Sequence, residues 1–97
     1  MDIAVTSTEY VKVAVTATAS GGPVELADPP RMALLTGTTN PGEEEWLEGE
    51  WDQGYARILI GPAGGALTLE PGSYTLWVTW TAGDETPVYR AGRITAY

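Results

Sequence analysis

Carboxylates crowd one short stretch of this 97-residue chain, so it is the first place to look for chemistry. Its six acids are Glu43, Glu44, Glu45, Glu48, Glu50 and Asp52. Calcium prefers several carboxylate and carbonyl oxygens as ligands, which makes this stretch a candidate calcium site. It lacks the Asp-x-Asp-x-Asp-Gly order of a calcium loop, and three consecutive glutamates diverge in any regular structure. A solvated or partner-facing acidic surface is therefore the preferred interpretation.

Enzymatic mechanisms find few residues to use in this chain. Glu48 and Glu50 share one face of a predicted strand, as a carboxylate pair for glycoside hydrolysis would, but so small a domain has little room for a cleft. The chain has no histidine and no cysteine, so its serines lack an activating base and thiolate chemistry is excluded. Residues 61–65 are glycine-rich but lack the lysine of a phosphate-binding loop. We expect no enzymatic activity, no cofactor and no metal.

The charge balance narrows the range of partners. Thirteen acidic residues against five basic ones give a net charge of −8, which would repel nucleic-acid phosphates and anionic membranes. No apolar run approaches the roughly 20 residues that span a bilayer, and the first residues lack the pattern of a secretory signal. We expect a soluble protein, made in the cytoplasm, that binds neither nucleic acid nor membranes.

Hydrophobic and polar residues alternate along most of the chain, which predicts strands and no helix. Strands are predicted over residues 10–18, 31–36, 46–52, 55–60, 66–69, 73–80 and 88–94, separated by glycine and proline turns. One inward row consists of Val11, Val13, Val15 and Ala17, and another of Tyr74, Leu76, Val78 and Trp80. The pattern predicts an all-β fold, a single β-sandwich of about seven strands over residues 9–97. Residues 1–8 are predicted to be an N-terminal arm.

A short motif connects two of the predicted strands. Leu69, Pro71, Gly72 and Tyr74 have the spacing of the tyrosine corner of immunoglobulin-like and fibronectin-like domains, which they resemble. The resemblance implies that the leucine packs inward and that the tyrosine hydroxyl ties the turn. A plain Pro-Gly turn with a core tyrosine is the alternative. Either role is structural, and the motif favours an immunoglobulin-like sandwich.

A binding role would have to come from the surface. Aromatic residues and arginines are typical of protein interfaces. The N-terminal arm is expected either to add a strand to the sheet edge of a neighbouring subunit or to be a frayed terminus. The candidate partner-facing residues are Ile3, Val5, Trp46, Glu48, Glu50, Trp77, Arg90 and Arg93. Exposed tryptophan faces also stack on sugar rings, so a carbohydrate-binding module is an alternative. Tryptophans beside acids and arginines favour the protein interface.

Five segments of the chain resemble small virion proteins of tailed phages that infect actinobacteria. They are STEYVKV (7–13), WLEGEW (46–51), YARILIGP (55–62), LEPGSY (69–74) and AGRI (91–94). The resemblance implies a structural protein of the virion, foremost a capsid decoration protein bound to the major capsid protein. The C-terminal part is also similar to immunoglobulin-like domains of phage tail and baseplate proteins. A head-to-tail, tail or baseplate accessory role and self-association therefore stay open.

Overall fold

The computed structural model describes residues 1–15, 18–19, 22–23, 28–37 and 39–97. In these ranges the strands are β1 (Asp2–Ile3), β2 (Glu9–Ala14), β3 (Thr18–Ala19), β4 (Gly22–Pro23), β5 (Arg31–Leu35), β6 (Leu47–Glu48), β7 (Glu50–Asp52), β8 (Tyr55–Ile60), β9 (Gly72–Thr79) and β10 (Val88–Ala96). The prediction of an all-β fold is confirmed. The helical part described is one short 3-10 helix, Glu43–Glu45, and no helix in the described ranges is long and apolar enough to cross a membrane.

The strands form two main sheets in a sandwich-like arrangement. The five-stranded sheet has the order β1-β10-β9-β5-β6, the three-stranded sheet has the order β2-β8-β7, and β3 pairs with β4 separately. All pairings are antiparallel except that of β1 with β10. Constant-type immunoglobulin sandwiches join strands B, E and D in one sheet and C, F and G in the other. Strands β2, β8 and β7 have the first order, and β5, β9 and β10 have the second.

The core lies between the sheets, where alternate residues of each strand point inward. The three-stranded sheet contributes Val11, Ala56, Ile58 and Ile60, and the five-stranded sheet contributes Met32, Leu34, Leu76, Val78 and Ile94. The predicted rows therefore mark the inner faces of β2 and β9. Their ends are less buried than expected: Val13, Val15, Tyr74 and Trp80 are half-buried. Ala17 lies outside the described residues.

The predicted strand over residues 46–52 is wrong as a single element. Its first half is β6 in the five-stranded sheet and its second half is β7 in the three-stranded sheet, so the chain changes sheets at Gly49. Gly49 donates its N–H to the carbonyl of Pro30 at 2.8 Å. A Cβ atom at Gly49 would lie 2.7 Å from the carbonyl oxygen of Arg57. Only a residue without a side chain fits so close to the neighbouring backbone.

The N-terminal residues belong to the sandwich. Asp2 and Ile3 pair with Thr95 and Ala96 of β10, and Ile3 is 2% exposed. The N–H of Val5 donates to the carbonyl of Tyr97 at 2.7 Å. The structure thus pairs β1 with the chain's own sheet edge, where an arm that adds a strand to a neighbour was expected. The expectation that Ile3 faces a partner is wrong, because its side chain fills the core.

The turn at residues 69–74 has the bonding of a tyrosine corner. The Tyr74 hydroxyl donates to the carbonyl of Glu70 at 2.7 Å and accepts from the N–H of Glu70 at 3.2 Å. Leu69 is buried, as the motif implies. One hydroxyl therefore satisfies both backbone groups of Glu70 just before β9 begins, and fixes the angle at which this central strand enters its sheet.

Candidate protein-binding surface

One side of the sandwich carries a strand whose first six residues are all exposed. They are Val88, Tyr89, Arg90, Ala91, Gly92 and Arg93 of β10. Neither Arg90 nor Arg93 forms an ion pair with any carboxylate of the described residues. We call residues 88–93 the arginine edge. In the part of the chain that the structure describes, these two cations lack a counter-charge, although the net charge of the chain is −8.

The backbone of the arginine edge is paired with a strand on one side only, and on the other side the Met1 ammonium group donates to the carbonyl of Arg93 at 3.2 Å. β9 pairs with β10 along its whole length, with a bulge between Arg90 and Gly92. On the other side β1 pairs only with Thr95 and Ala96. Within the described ranges, residues 88–92 therefore have no strand beside them on the side away from β9. Such an edge presents backbone donors and acceptors to whatever approaches it.

A groove of about 380 Å³ runs beside this edge, at the opening between the two sheets. Val13 of β2 and Val15, which follows β2, line one wall of the groove. Val78, Trp80 and Tyr89 line the opposite wall. The rings of Trp80 and Tyr89 are stacked with centroids 5.5 Å apart, and Tyr89 is 56% exposed. Trp80 was predicted to be core, and it packs against the core but is only half-buried.

The acidic stretch, residues 43–52, lies along the opposite side of the molecule and is called the acidic edge here. It comprises the 3-10 helix and strands β6 and β7, which end their respective sheets. Arg31 binds Glu43 at 3.2 Å, and Arg57 binds Glu50 at 2.8 Å and Asp52 at 3.4 Å. Half of the six acids are therefore paired with cations of the same chain.

Arg57 holds several parts of the acidic edge together. It lies on β8 opposite Glu50 in the β7–β8 register, and the hairpin between these strands turns at Gln53 and Gly54 with φ angles of 50° and 85°. Positive φ at both central residues is the geometry that suits a two-residue hairpin. The guanidinium also lies 4.1 Å from the ring centroid of Tyr10 on the neighbouring strand β2. Two ion pairs and a cation-π contact thus converge on one side chain.

The predicted partner-facing residues fall into three groups. Arg90 and Arg93 are exposed on the arginine edge, whereas Glu48 and Glu50 are exposed on the acidic edge and Trp46 is half-buried there. Strands β9 and β5 separate β10 from β6. At ~4.8 Å per strand this places the two edges about 14 Å apart. Val5 is half-buried against the core and Ile3 is fully buried.

The prediction that Trp77 faces a partner is wrong, since it is only 5% exposed. It lies on β9, the middle strand of the five-stranded sheet, between Ala33 of β5 and Arg90 of β10 in the register. A side chain flanked by strands on both sides is covered laterally, and the small Ala33 leaves room for the indole. Its indole Nε1 has no hydrogen-bond partner within the described ranges.

Sequence reasoning missed the groove. Trp80, Val13 and Val15 were assigned to the core, and they do pack against it, but each is only half-buried and also lines the groove. Tyr89 was left without a role. Alternation reports which face of a strand a side chain is on, but not whether the facing sheet extends far enough to cover it.

The arrangement offers binding more readily than catalysis. Glu48 and Glu50, the pair considered for glycoside hydrolysis, lie on strands of different sheets. In the part of the chain that the structure describes, no group of three acidic residues is placed to hold a metal ion. No family model, curated protein or solved structure matches the chain.

Proposed function

We propose that this chain is a non-enzymatic binding protein that docks on another protein through its arginine edge. We further propose that it acts as a capsid decoration protein of a tailed phage, bound to the major capsid protein in a virion assembled in the host cytoplasm. The observation that carries the binding role is the exposed first half of β10. Its two guanidinium groups have no carboxylate partner, and its backbone has no second strand, among the described residues.

The composition of this side supports a protein partner. Interfaces are enriched in tyrosine, tryptophan and arginine, and Tyr89, Trp80 and Arg90 lie together around one groove. Two neighbouring cations without a carboxylate partner among the described residues also orient this acidic molecule, because most of its remaining surface charge is repelled by an acidic partner.

The virion role rests on the resemblance of five segments to phage virion proteins. It agrees with the physical character of the molecule, since a decoration protein needs a stable small fold and a surface that keeps particles apart. With the arginine edge docked, the acidic edge would lie on the far side, where its charge would provide repulsion between particles.

The test is the copy number of the chain in purified particles of the phage that encodes it. Quantitative mass spectrometry against the major capsid protein measures it directly, because occupancy follows the symmetry of the site. Hundreds of copies are expected for a decoration protein. A dozen or fewer would contradict capsid decoration and support a head-to-tail, tail or baseplate role, and complete absence would contradict the virion role altogether.

A carbohydrate-binding role is the second candidate, favoured by the stacked Trp80 and Tyr89 rings. An exposed aromatic face can stack on a sugar ring. The measurement is tryptophan fluorescence during titration with host cell-wall glycans, comparing the native chain with Tyr89→Ala. A saturable change that disappears in the variant would support this role over the protein interface. An unchanged spectrum would exclude it for the glycans used.

A further inference from the structure

The two ends of β10 differ in whether a further strand lies beside them and covers the space between the two sheets. We call the end at residues 94–96 the closed end and the end at residues 88–92 the open end. At the closed end β1 pairs with the last residues of β10, and Ile3 is buried in the core. At the open end β10 has no such strand among the described residues, and Val13 and Val15 are only half-buried. Among the described residues, no strand lies beside residues 88–92 in the position that β1 takes beside Thr95 and Ala96.

The open end has the dimensions of one extended segment. Residues 88–92 of β10 present a free backbone edge of five residues, which corresponds to ~16 Å of strand at about 3.3 Å per residue. The adjoining groove of about 380 Å³ has an apolar floor, with Val78 fully buried and Val13 and Trp80 on the two sides. Alternate side chains of an added strand would point into this groove.

The charges around the open end indicate which kind of peptide segment would bind there. Arg90 borders the groove between the sheets and also a second groove, of about 300 Å³, that it shares with Thr75 and Arg93. Thr75 and Val78 are three residues apart on β9, so the two grooves lie on opposite faces of the sheet. Like charges on a sheet edge discourage pairing with another copy of the same edge. The same cations favour a strand that carries carboxylates.

We propose that the side of the sandwich at residues 88–92 takes up an extended acidic polypeptide segment of the partner protein. The segment adds to β10 in line with β1, places alternate apolar side chains in the groove beside Trp80, and pairs carboxylates with Arg90 and Arg93. This deepens the proposed function and rests on its protein-binding part. Strand addition of this kind obtains affinity from backbone hydrogen bonds and specificity from alternate side chains.

The experiment selects peptides on the intact chain. A library of random nonapeptides is displayed on yeast, enriched for binding to the chain, and each enriched peptide is then measured against two variants. Arg90→Glu with Arg93→Glu is expected to weaken binding at least tenfold, and Tyr89→Ala is expected to weaken it as well. The matched controls are Lys12→Glu and Tyr55→Ala, which change exposed residues of β2 and β8 outside the groove.

Hydrogen exchange of the backbone amides separates strand addition from simple contact. An enriched peptide is expected to slow exchange within residues 88–92. Every second N–H of an added strand points toward β10, so N-methylation of those peptide residues is expected to abolish binding. N-methylation of the residues between them is expected to leave binding intact. The proposal is overturned if no peptide is enriched, if the enriched peptides lack acidic residues, if the arginine variant binds them equally, or if exchange at residues 88–92 is unchanged.

Two further outcomes are distinct. If exchange at residues 88–92 slows with the concentration of the chain alone, a second copy occupies the edge and the acidic partner segment is wrong. If particles contain hundreds of copies but no peptide binds, the proposed function stands and strand addition falls. If peptides bind but particles do not contain the chain, strand addition stands and the virion role falls.

Discussion

The two edges of this sandwich differ in where their charges find partners. The acidic edge has more charged residues, but Arg31 and Arg57 bind half of its carboxylates from within the chain. The arginine edge has only two charges, and neither has a carboxylate partner among the described residues. Both edges leave backbone unpaired in the described structure, since β6 and β7 end their sheets and β10 lacks a second strand along residues 88–92. The difference lies in the cations: Arg31 and Arg57 are bound by carboxylates of the chain, whereas Arg90 and Arg93 are bound by none among the described residues.

The largest expected effect is on binding at the arginine edge. Arg90→Glu with Arg93→Glu should weaken binding to particles by about a hundredfold, because each substitution replaces an attraction to the partner by a repulsion. Cosedimentation with purified particles that lack the chain measures this. Lys12→Glu with Arg31→Glu changes the net charge equally and should leave binding nearly unchanged. Equal losses in both variants would mean that only net charge matters.

The next effect is on the stability of the acidic edge. Gly49→Ala should lower the free energy of unfolding by about 2–3 kcal/mol, because the new Cβ atom would lie against the carbonyl oxygen of Arg57. Denaturant unfolding followed by tryptophan fluorescence measures it. Gly37→Ala is the control, since the nearest atom to its Cβ would be 4.0 Å away. A Gly49→Ala variant as stable as that control would show that the sheet change tolerates a side chain.

A pair of arginine truncations compares the edges directly. Arg57→Ala should cost about 1–2 kcal/mol of stability, because it removes two partly exposed ion pairs and the cation-π contact with Tyr10. Arg93→Ala should change stability by no more than about 0.5 kcal/mol, as is usual for a surface residue without such contacts. Equal costs in denaturant unfolding would contradict the difference between the edges.

The smallest effect concerns the corner, which belongs to neither edge. Tyr74→Phe removes the hydroxyl that bonds both backbone groups of Glu70, so stability should fall by about 1 kcal/mol. Binding at the arginine edge, measured on folded protein, should not change. A loss of binding in Tyr74→Phe would mean that the corner positions the arginine edge and is not purely structural.

Much of the fold could be predicted from local pattern. The all-β class, the strands near residues 55–60, 72–79 and 88–96, the hairpin turn at Gln53-Gly54 and the tyrosine corner all follow from alternation and turn residues within a few positions of each other. The break of residues 46–52 into two sheets was not predicted, because alternation continues through Gly49 while the close neighbour that requires a glycine, Arg57, comes from another strand.

The candidate site was predicted only in part. Arg90 and Arg93 are exposed, and that they face a partner stays a prediction. Ile3 and Trp77 were assigned to the surface but are buried, which is not visible in one strand alone. Trp77 is flanked by strands on both sides of β9, and Trp80 packs against the core but is only half-buried.

The sequence by itself determined most of the strands of this protein, which face of each is apolar, where tight turns occur, and that histidine and cysteine chemistry is absent. These properties depend on neighbouring residues and on composition. Only the tertiary structure decided which carboxylates are neutralised, which aromatic side chains are covered, and which half of β10 lacks a second strand. Those properties depend on strand order and on how far each sheet extends over the other, and residues far apart in the chain set both.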